Sequence, residues 1–568
     1  MLFDHLPENA IPLIHWNWVQ ISPYFRNLQE RELNEQTVSV FARDWTRMDE
    51  LLDETYSRLH VATTLDTSND DAQKRFHTFL EEIFPKWSEA DQNLKTKMLA
   101  SGLQLDRFQI PLRRMQTHAD IFREENLPLL TRERILGTEY DKIVGAQTVV
   151  WEGREIPVVQ LQPVQLDNDR DRREKAWRLG SERMLADRDA LGTLWKKFLA
   201  LREDLAGNAG FEDYRSYRWK QLTRFDYSPD DCKSFHRAIE EAVVPAVQRI
   251  LVRRAARLGL DALRPWDLRV DPLGRPALKP FMEMDELKSK ASAMFHKVDP
   301  RLGSYFDLMV KERLLDLDSR KNKAPGGYCT TFAASKRPFI FMNAVGVHGD
   351  VQTLLHEAGH CFHSFESHKL PYHQQREVGM EFAEVASMAM ELLASPHLGD
   401  NEGGFYSPKD AARARIEHLE DSIRFWPYMA VVDAFQHWIY ENPSDAADLD
   451  ACDAQWLALA ERFLPGVDWS GLTNERKTIW LRQLHIHQVP FYYVEYGLAQ
   501  LGAVQIWRNF REHQSDAVSA YIAALGLGGT VSLPDLYATA GARLAFDATT
   551  LAEAVDLMEK TVEELEKA

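Results

Sequence analysis

A mainly α-helical fold is predicted by three observations. Apolar residues recur with the 3.6-residue period through most of the 568-residue chain. Caps and breakers interrupt that rhythm where helices should start and stop. Only two short stretches leave it for strand-like patterning. In chain order, Thr148 to Trp151 and Ile156 to Leu161 flank Glu152-Gly153-Arg154 as a small hairpin. Arg172 to Leu205 follows as a long helix, and Ser228, with Pro229 at the first helical position, opens another that runs to about Leu258. Gly326-Gly327 lead a strand ending at Phe332, Lys336-Arg337 make a turn, and Pro338 to Asn343 form a second strand. Leu551 begins a helix that continues to the C-terminus. The softest boundary is Ala206-Gly207-Asn208-Ala209-Gly210, which divides an N-terminal helical region with the hairpin, 1–205, from the remainder, 206–568.

Length sets a prior of about three or four domain-sized units, and 45% hydrophobic with 27% charged residues implies a large buried core. The 86 acids outnumber 68 lysines and arginines by 18. A field of that sign repels phosphate backbones and anionic headgroups, so neither nucleic acid nor a membrane surface is an expected partner. Cys232, Cys329, Cys361 and Cys452 lie far apart without a C-x-x-C pair, which argues for a reducing compartment. The start, Met-Leu-Phe-Asp-His-Leu-Pro-Glu, has no basic segment before an apolar one. Ala517 to Pro534 is charge-free but broken by Gly526, Gly528, Gly529 and Pro534, so it reads as a short helix and a turn and not as a membrane span. A soluble, cytoplasmic protein is expected. Nothing in the sequence speaks to its oligomeric state.

The strongest motif is His356-Glu357-Ala358-Gly359-His360, an H-E-x-x-H preceded by Asp350 as a cap and by Val351, Leu354 and Leu355. Shuffling this composition would produce the pattern roughly 0.05 times per chain, so chance is a poor explanation. On a helix the two histidines share a face about 6 Å apart, where two neutral imidazoles can hold one Zn²⁺ while Glu357 turns toward a water in the open position. His363 lies roughly 10 Å along the axis from His356, too far to share the ion, and reads as a neighbour of the site. The longer metzincin pattern fails at His363 and Glu366. A third ligand must therefore come from elsewhere. Gly379 to Leu393 reads as a second helix with acids set among apolar residues, and Glu377, Glu381, Glu384 or Glu391 could each complete the set. A third cluster, His485 through Pro490-Phe491-Tyr492-Tyr493-Val494-Glu495-Tyr496-Gly497, offers imidazole and phenol donors of the kind that stabilise an oxyanion.

Together these segments resemble the thimet oligopeptidase and oligoendopeptidase F family of zinc metallopeptidases, nearer to the oligoendopeptidase branch. The likeness is carried by His356 to His360, Glu381-Phe382-Ala383-Glu384-Val385-Ala386-Ser387, and His485 to Gly497, and is strongest from about Gly326 to Gly502. It implies a helical clamshell with a deep substrate channel and a small β-sheet beside the zinc-site helix. It implies one Zn²⁺ per chain held by His356, His360 and Glu384, with Glu357 as general base and acid and Glu381 placed to orient a ligand histidine. His485, Tyr493 and Tyr496 take the positions that hold substrate and tetrahedral intermediate, with His487 and Tyr492 close enough in sequence to share those roles. The implied activity is endopeptidase cleavage of oligopeptides, with 206–568 as the catalytic region. The strand Phe339 to Asn343 is expected to be an edge that pairs with extended substrate. The rival exopeptidase reading needs a charged anchor for a free terminus, and no residue suggests one.

Overall fold

The computed structural model describes residues 2–320, 322–324 and 326–567. The chain is mainly α, with a two-stranded and a three-stranded sheet among the described residues. It divides into two compact units, each assembled from three segments. The first comprises Met1–Asp120, Leu278–Ala414 and Gly502–Leu544, and the second Ile121–Ala277, Arg415–Leu501 and Ala545–Ala568. Ala206–Gly210, where composition suggested the softest boundary, lies inside the second unit at the end of helix Arg188–Asn208.

Most helices arise where the apolar rhythm predicts them, but two continuous readings break. Arg172 to Leu205 is two helices, Arg170–Leu185 and Arg188–Asn208. Between them, Asp187 accepts hydrogen bonds from Gln147 and Arg183. Ser228 caps its helix through a reciprocal pair with Asp231, yet that helix ends at Ala242 and a second runs Val244–Leu258. Pro245 explains the break, because it lacks the N–H that would continue the ladder. The C-terminal helix spans Ala548–Lys567. Among the described residues no helix is long and apolar enough to cross a membrane.

In the second unit, β1 (Thr148–Trp151) pairs antiparallel with β2 (Arg154–Pro157) through a turn in which Glu152 and Gly153 both have positive φ. The second strand ends earlier than expected. Pro157 cannot donate to a ladder, and Val158–Leu161 winds into a 3₁₀ turn.

In the first unit, β3 (Leu315–Asp318), β4 (Tyr328–Phe332) and β5 (Arg337–Ala344) form one sheet in the order β3-β5-β4. β5 runs antiparallel to β4, with Tyr328 opposite Phe341, and parallel to β3, with Leu315 opposite Ile340. Phe339 to Asn343 is therefore central and not an edge, which corrects the expectation from sequence. Its residues from Pro338 to Met342 are all buried, as a strand covered on both sides requires. The outer strand on that side is β4. The motif helix, His348–Ser367, packs against both β4 and β5. Asp350 lies inside it, not at its cap, and Asp350 Oδ2 accepts the N–H groups of Val345, Gly346 and Val347 at 2.8–2.9 Å. It thereby ties the end of β5 to the start of the helix.

Candidate active site

Two helices of the first unit build the site, the motif helix and Met380–Ala394, which we call the acid helix. Their approach depends on a missing side chain. A Cβ on Gly359 would fall 2.6 Å from both the Ala386 carbonyl oxygen and the Ser387 Cα, so only glycine admits the acid helix this closely. Tyr521, from a helix of the same unit, donates its hydroxyl to that Ala386 carbonyl at 2.7 Å and holds the second backbone in place.

This contact brings an acid to the histidines. Glu384 Oε2 lies 3.4 Å from His356 Nε2 and 3.8 Å from His360 Nε2, and one donor atom from each of the three residues falls within 4.8 Å of the other two. The imidazole rings stand 5.0 Å apart and nearly perpendicular. His356 Nδ1 sits 2.7 Å from Glu391 Oε1, the arrangement in which Nδ1–H is donated to the carboxylate and the Nε2 lone pair faces Glu384. His360 is hydrogen-bonded to the Ala383 backbone. Two nitrogens and one carboxylate oxygen at this spacing are a donor set that suits a divalent zinc ion.

The electrostatics point the same way. Burial by itself would lower the His356 pKa, but Glu384 and Glu391 raise it well above the usual imidazole value. His360, without such close anionic partners, is pushed down by burial to about 4. The pair of acids thus demands a positive charge at His356, which a proton or a cation can supply. Glu357 is buried beside them. Burial pushes its carboxyl up to about 7, moderated by His356 and by the backbone N–H of Cys329 on β4.

The remaining acids separate by position. Glu377 is exposed and lies 3.9 Å from Arg114. Glu381 is buried in the first turn of the acid helix, with its carboxylate folded back toward Gly379. The sequence reading looked to Glu381 for a carboxylate that could orient a histidine; the carboxylate at hydrogen-bond distance from His356 is that of Glu391. Glu391, considered from sequence only as a possible third ligand, lies two turns beyond Glu384 on one helical face. His363 is buried against Phe382, with ring centroids 5.9 Å apart, and burial lowers it to about 3.

The third cluster belongs to the second unit. The short helix Leu484–Gln488 and the helix Tyr493–Glu512 meet at Phe491, a non-glycine residue at φ 66°. That bend is held by several buried groups. Phe491 N–H donates to Gln436 at 2.6 Å, Arg224 reaches the Phe491 carbonyl and Glu495, and Trp426 donates to the Gly497 carbonyl at 2.9 Å. The result is a ring cluster in which His485 lies 4.8 Å from Tyr493 and 5.9 Å from Tyr496, with Tyr493 and Tyr496 5.6 Å apart. Gln483 contacts His485 Nδ1 at 2.8 Å and is itself fixed by the Tyr428 hydroxyl. His487 points the other way. It stacks on Trp480 and packs against Tyr140 and Trp195, and burial lowers it to about 3. Tyr492 stays half-buried, 5.1 Å from Tyr496.

The chain as a whole is similar to known proteins. Residues 164–555 match the sequence model of peptidase family M3. The oligoendopeptidase F homolog of Borreliella burgdorferi is 25% identical over 263 residues, 46% of this chain and 43% of that protein. Oligopeptidase PepF of Bacillus subtilis is 23% identical over 331 residues, 57% of this chain and 47% of that protein. The chain thus spans less than half the length of these curated relatives. A solved structure of PZ peptidase A with an inhibitor is 25% identical, covers 99% of both chains and superposes with a TM-score of 0.89.

Proposed function

Because the chain belongs to peptidase family M3, we propose that it is a zinc-dependent endopeptidase that hydrolyses internal peptide bonds of oligopeptides. The observation that carries this reading is the convergence of His356, His360 and Glu384, with the buried Glu357 one residue from the first ligand. His356, His360 and Glu384 would hold one Zn²⁺ per chain, which would supply Lewis-acid chemistry for the scissile carbonyl and the attacking water.

The protein's own groups do the rest. Glu357 takes the proton from the attacking water and delivers it to the departing amine, two transfers that suit a carboxyl whose affinity for protons has been raised by burial. Glu391 keeps His356 in the tautomer that leaves Nε2 as the donor. His485, Tyr493 and Tyr496 hold the substrate and the oxyanion, a role for which phenol and imidazole N–H and O–H groups are suited. β4, one of the two outer strands of its sheet, offers backbone groups to an extended peptide. Residues 206–568 carry this machinery, in a cytoplasmic setting.

The test uses peptides blocked at both termini. Cleavage of these substrates is expected, and failure to cleave any of them while unblocked ones are cut would sink the endopeptidase reading. Glu357→Gln is expected to keep its zinc and to lose about 10²–10⁴-fold in kcat, with metal content and turnover measured on the same preparation.

A further inference from the structure

We propose that Gln483 is a positioning residue for the reaction: its side-chain amide holds His485 in the tautomer that carries its proton on Nε2, which makes the ring a hydrogen-bond donor to substrate. The inference rests on the oxyanion-holding role given above to His485 and Tyr493. Tyr428, Gln483, His485 and Tyr493 all belong to the second unit.

Gln483 stands between two short elements. It follows the 3₁₀ turn Ile479–Arg482 and precedes the helix Leu484–Gln488, with its backbone extended at φ −80° and ψ 98°. That backbone is bonded on both sides. The Gln483 N–H donates to the carbonyl of the fully buried Trp480 at 3.1 Å, and the Gln483 carbonyl accepts the Ile486 N–H at 3.1 Å. His487 Nδ1 lies 3.3 Å from the same carbonyl, which can only accept, so His487 donates to it. His487 thus steadies Gln483 and does not share the role of His485.

The side chain is fixed at its far end. The Tyr428 hydroxyl, from helix Pro408–Glu441, donates to Gln483 Oε1 at 2.8 Å, and the amide nitrogen then faces His485 Nδ1 at 2.8 Å. An amide nitrogen offers only donors, and a neutral imidazole carries one proton on its two nitrogens. Nδ1 therefore accepts, and the ring proton resides on Nε2. The same amide serves Tyr493. Burial raises the pKa of that phenol, as do Tyr428 and Tyr496 beside it, and a hydrogen bond from the Gln483 side chain opposes them. A phenol oxygen that accepts from Gln483 keeps its own proton for another acceptor.

An oxyanion calls for donors placed before the charge develops. A His485 ring with a bare Nε2 would meet that charge with a lone pair. Gln483 excludes this tautomer without a second proton on the ring, because its nitrogen has no lone pair to receive an Nδ1–H.

The tautomer is read from the ring nitrogen shifts of protein made with nitrogen-15-labelled histidine, held above the usual imidazole pKa. The His485 signals are identified by their loss in His485→Gln. Wild type is expected to show the Nε2–H form alone. Gln483→Met, which keeps the bulk without the amide, should show both forms, and Gln483→Glu, whose carboxylate accepts from Nδ1–H, should show the opposite one. On a peptide blocked at both termini, Gln483→Met is expected to lower kcat about 10–100-fold and to leave KM within about 3-fold, a smaller loss than the about 10²–10³-fold that removal of an oxyanion donor costs. An Nδ1–H ring in wild type overturns the inference whether or not the variants fold, and so does a Gln483→Met enzyme with undiminished kcat. A wild type that cuts no peptide removes the reading on which the inference rests, and the inference with it. A wild type that cuts, beside an unchanged Gln483→Met, removes the inference alone.

Discussion

At the scale of single residues, the chemistry depends on how each side chain is held. Glu391 touches no reacting atom in the proposed mechanism, yet it sets which His356 nitrogen is available as a donor. Glu391→Ala is therefore expected to weaken zinc binding about 10–100-fold without unfolding the protein, as read by competition with a chelator and by far-ultraviolet circular dichroism. Unchanged zinc affinity would remove Glu391 from the positioning role. The same scale distinguishes His485 from His487. Both are histidines of one short helix, but two residues of helical rotation turn one toward Tyr493 and Tyr496 and the other into a box of Trp480, Trp195 and Tyr140. Sequence could not separate them, because which face of a five-residue helix is covered depends on segments far away in the chain.

At the scale of elements, two contacts decide what packs on what. Gly359 is the point where the motif helix meets the acid helix. Gly359→Val should force them apart, at about 1–3 kcal/mol of stability and with loss of stoichiometric zinc, measured by denaturant titration and metal analysis. In the second unit, Asp267 joins the 3₁₀ turn Pro265–Asp267 to helix Arg170–Leu185 through Arg170 and Arg173, at 2.8–3.0 Å. Burial alone would raise this carboxyl, but bonds from Arg170, the Arg264 N–H and Arg173 hold it below 3.8. A depressed folded pKa means that the contribution is full above the unfolded value and fades as pH falls below it. Asp267→Asn is expected to cost about 3 kcal/mol at neutral pH, with the gap to wild type closing below about pH 4 in pH-dependent urea melts. A gap independent of pH would show that the charge is irrelevant.

At the scale of the whole molecule, each unit is stitched from three stretches of chain. Helix Arg188–Asn208 buries Trp195 and Arg202 within the second unit, where they bond to the Ala446 carbonyl, the Tyr440 hydroxyl and the Ile486 carbonyl. A fragment of residues 206–568 lacks that helix and the first 120 residues of the other unit. Expressed alone, it is expected to show no cooperative thermal transition, and a sharp melt in such a fragment would contradict this. The strand order β3-β5-β4 belongs to the same scale. Leu315–Asp318 is four residues long and pairs in parallel, which leaves no local turn signature, so Phe339–Asn343 read as an edge until its second neighbour was seen.

By itself the sequence determined the helical class, the hairpin turn and the shared face of His356 and His360 with Glu357 beside them. Those features follow from periods of two and 3.6 residues, which operate within a few residues of chain. Spacing alone left four acids open and only the family resemblance pointed to Glu384; the tertiary structure shows that Glu384 lies beside both imidazoles and that Glu391 bonds to one of them. Each of these depends on the distance between two backbones, set by absent side chains such as that of Gly359 and by packing across hundreds of residues.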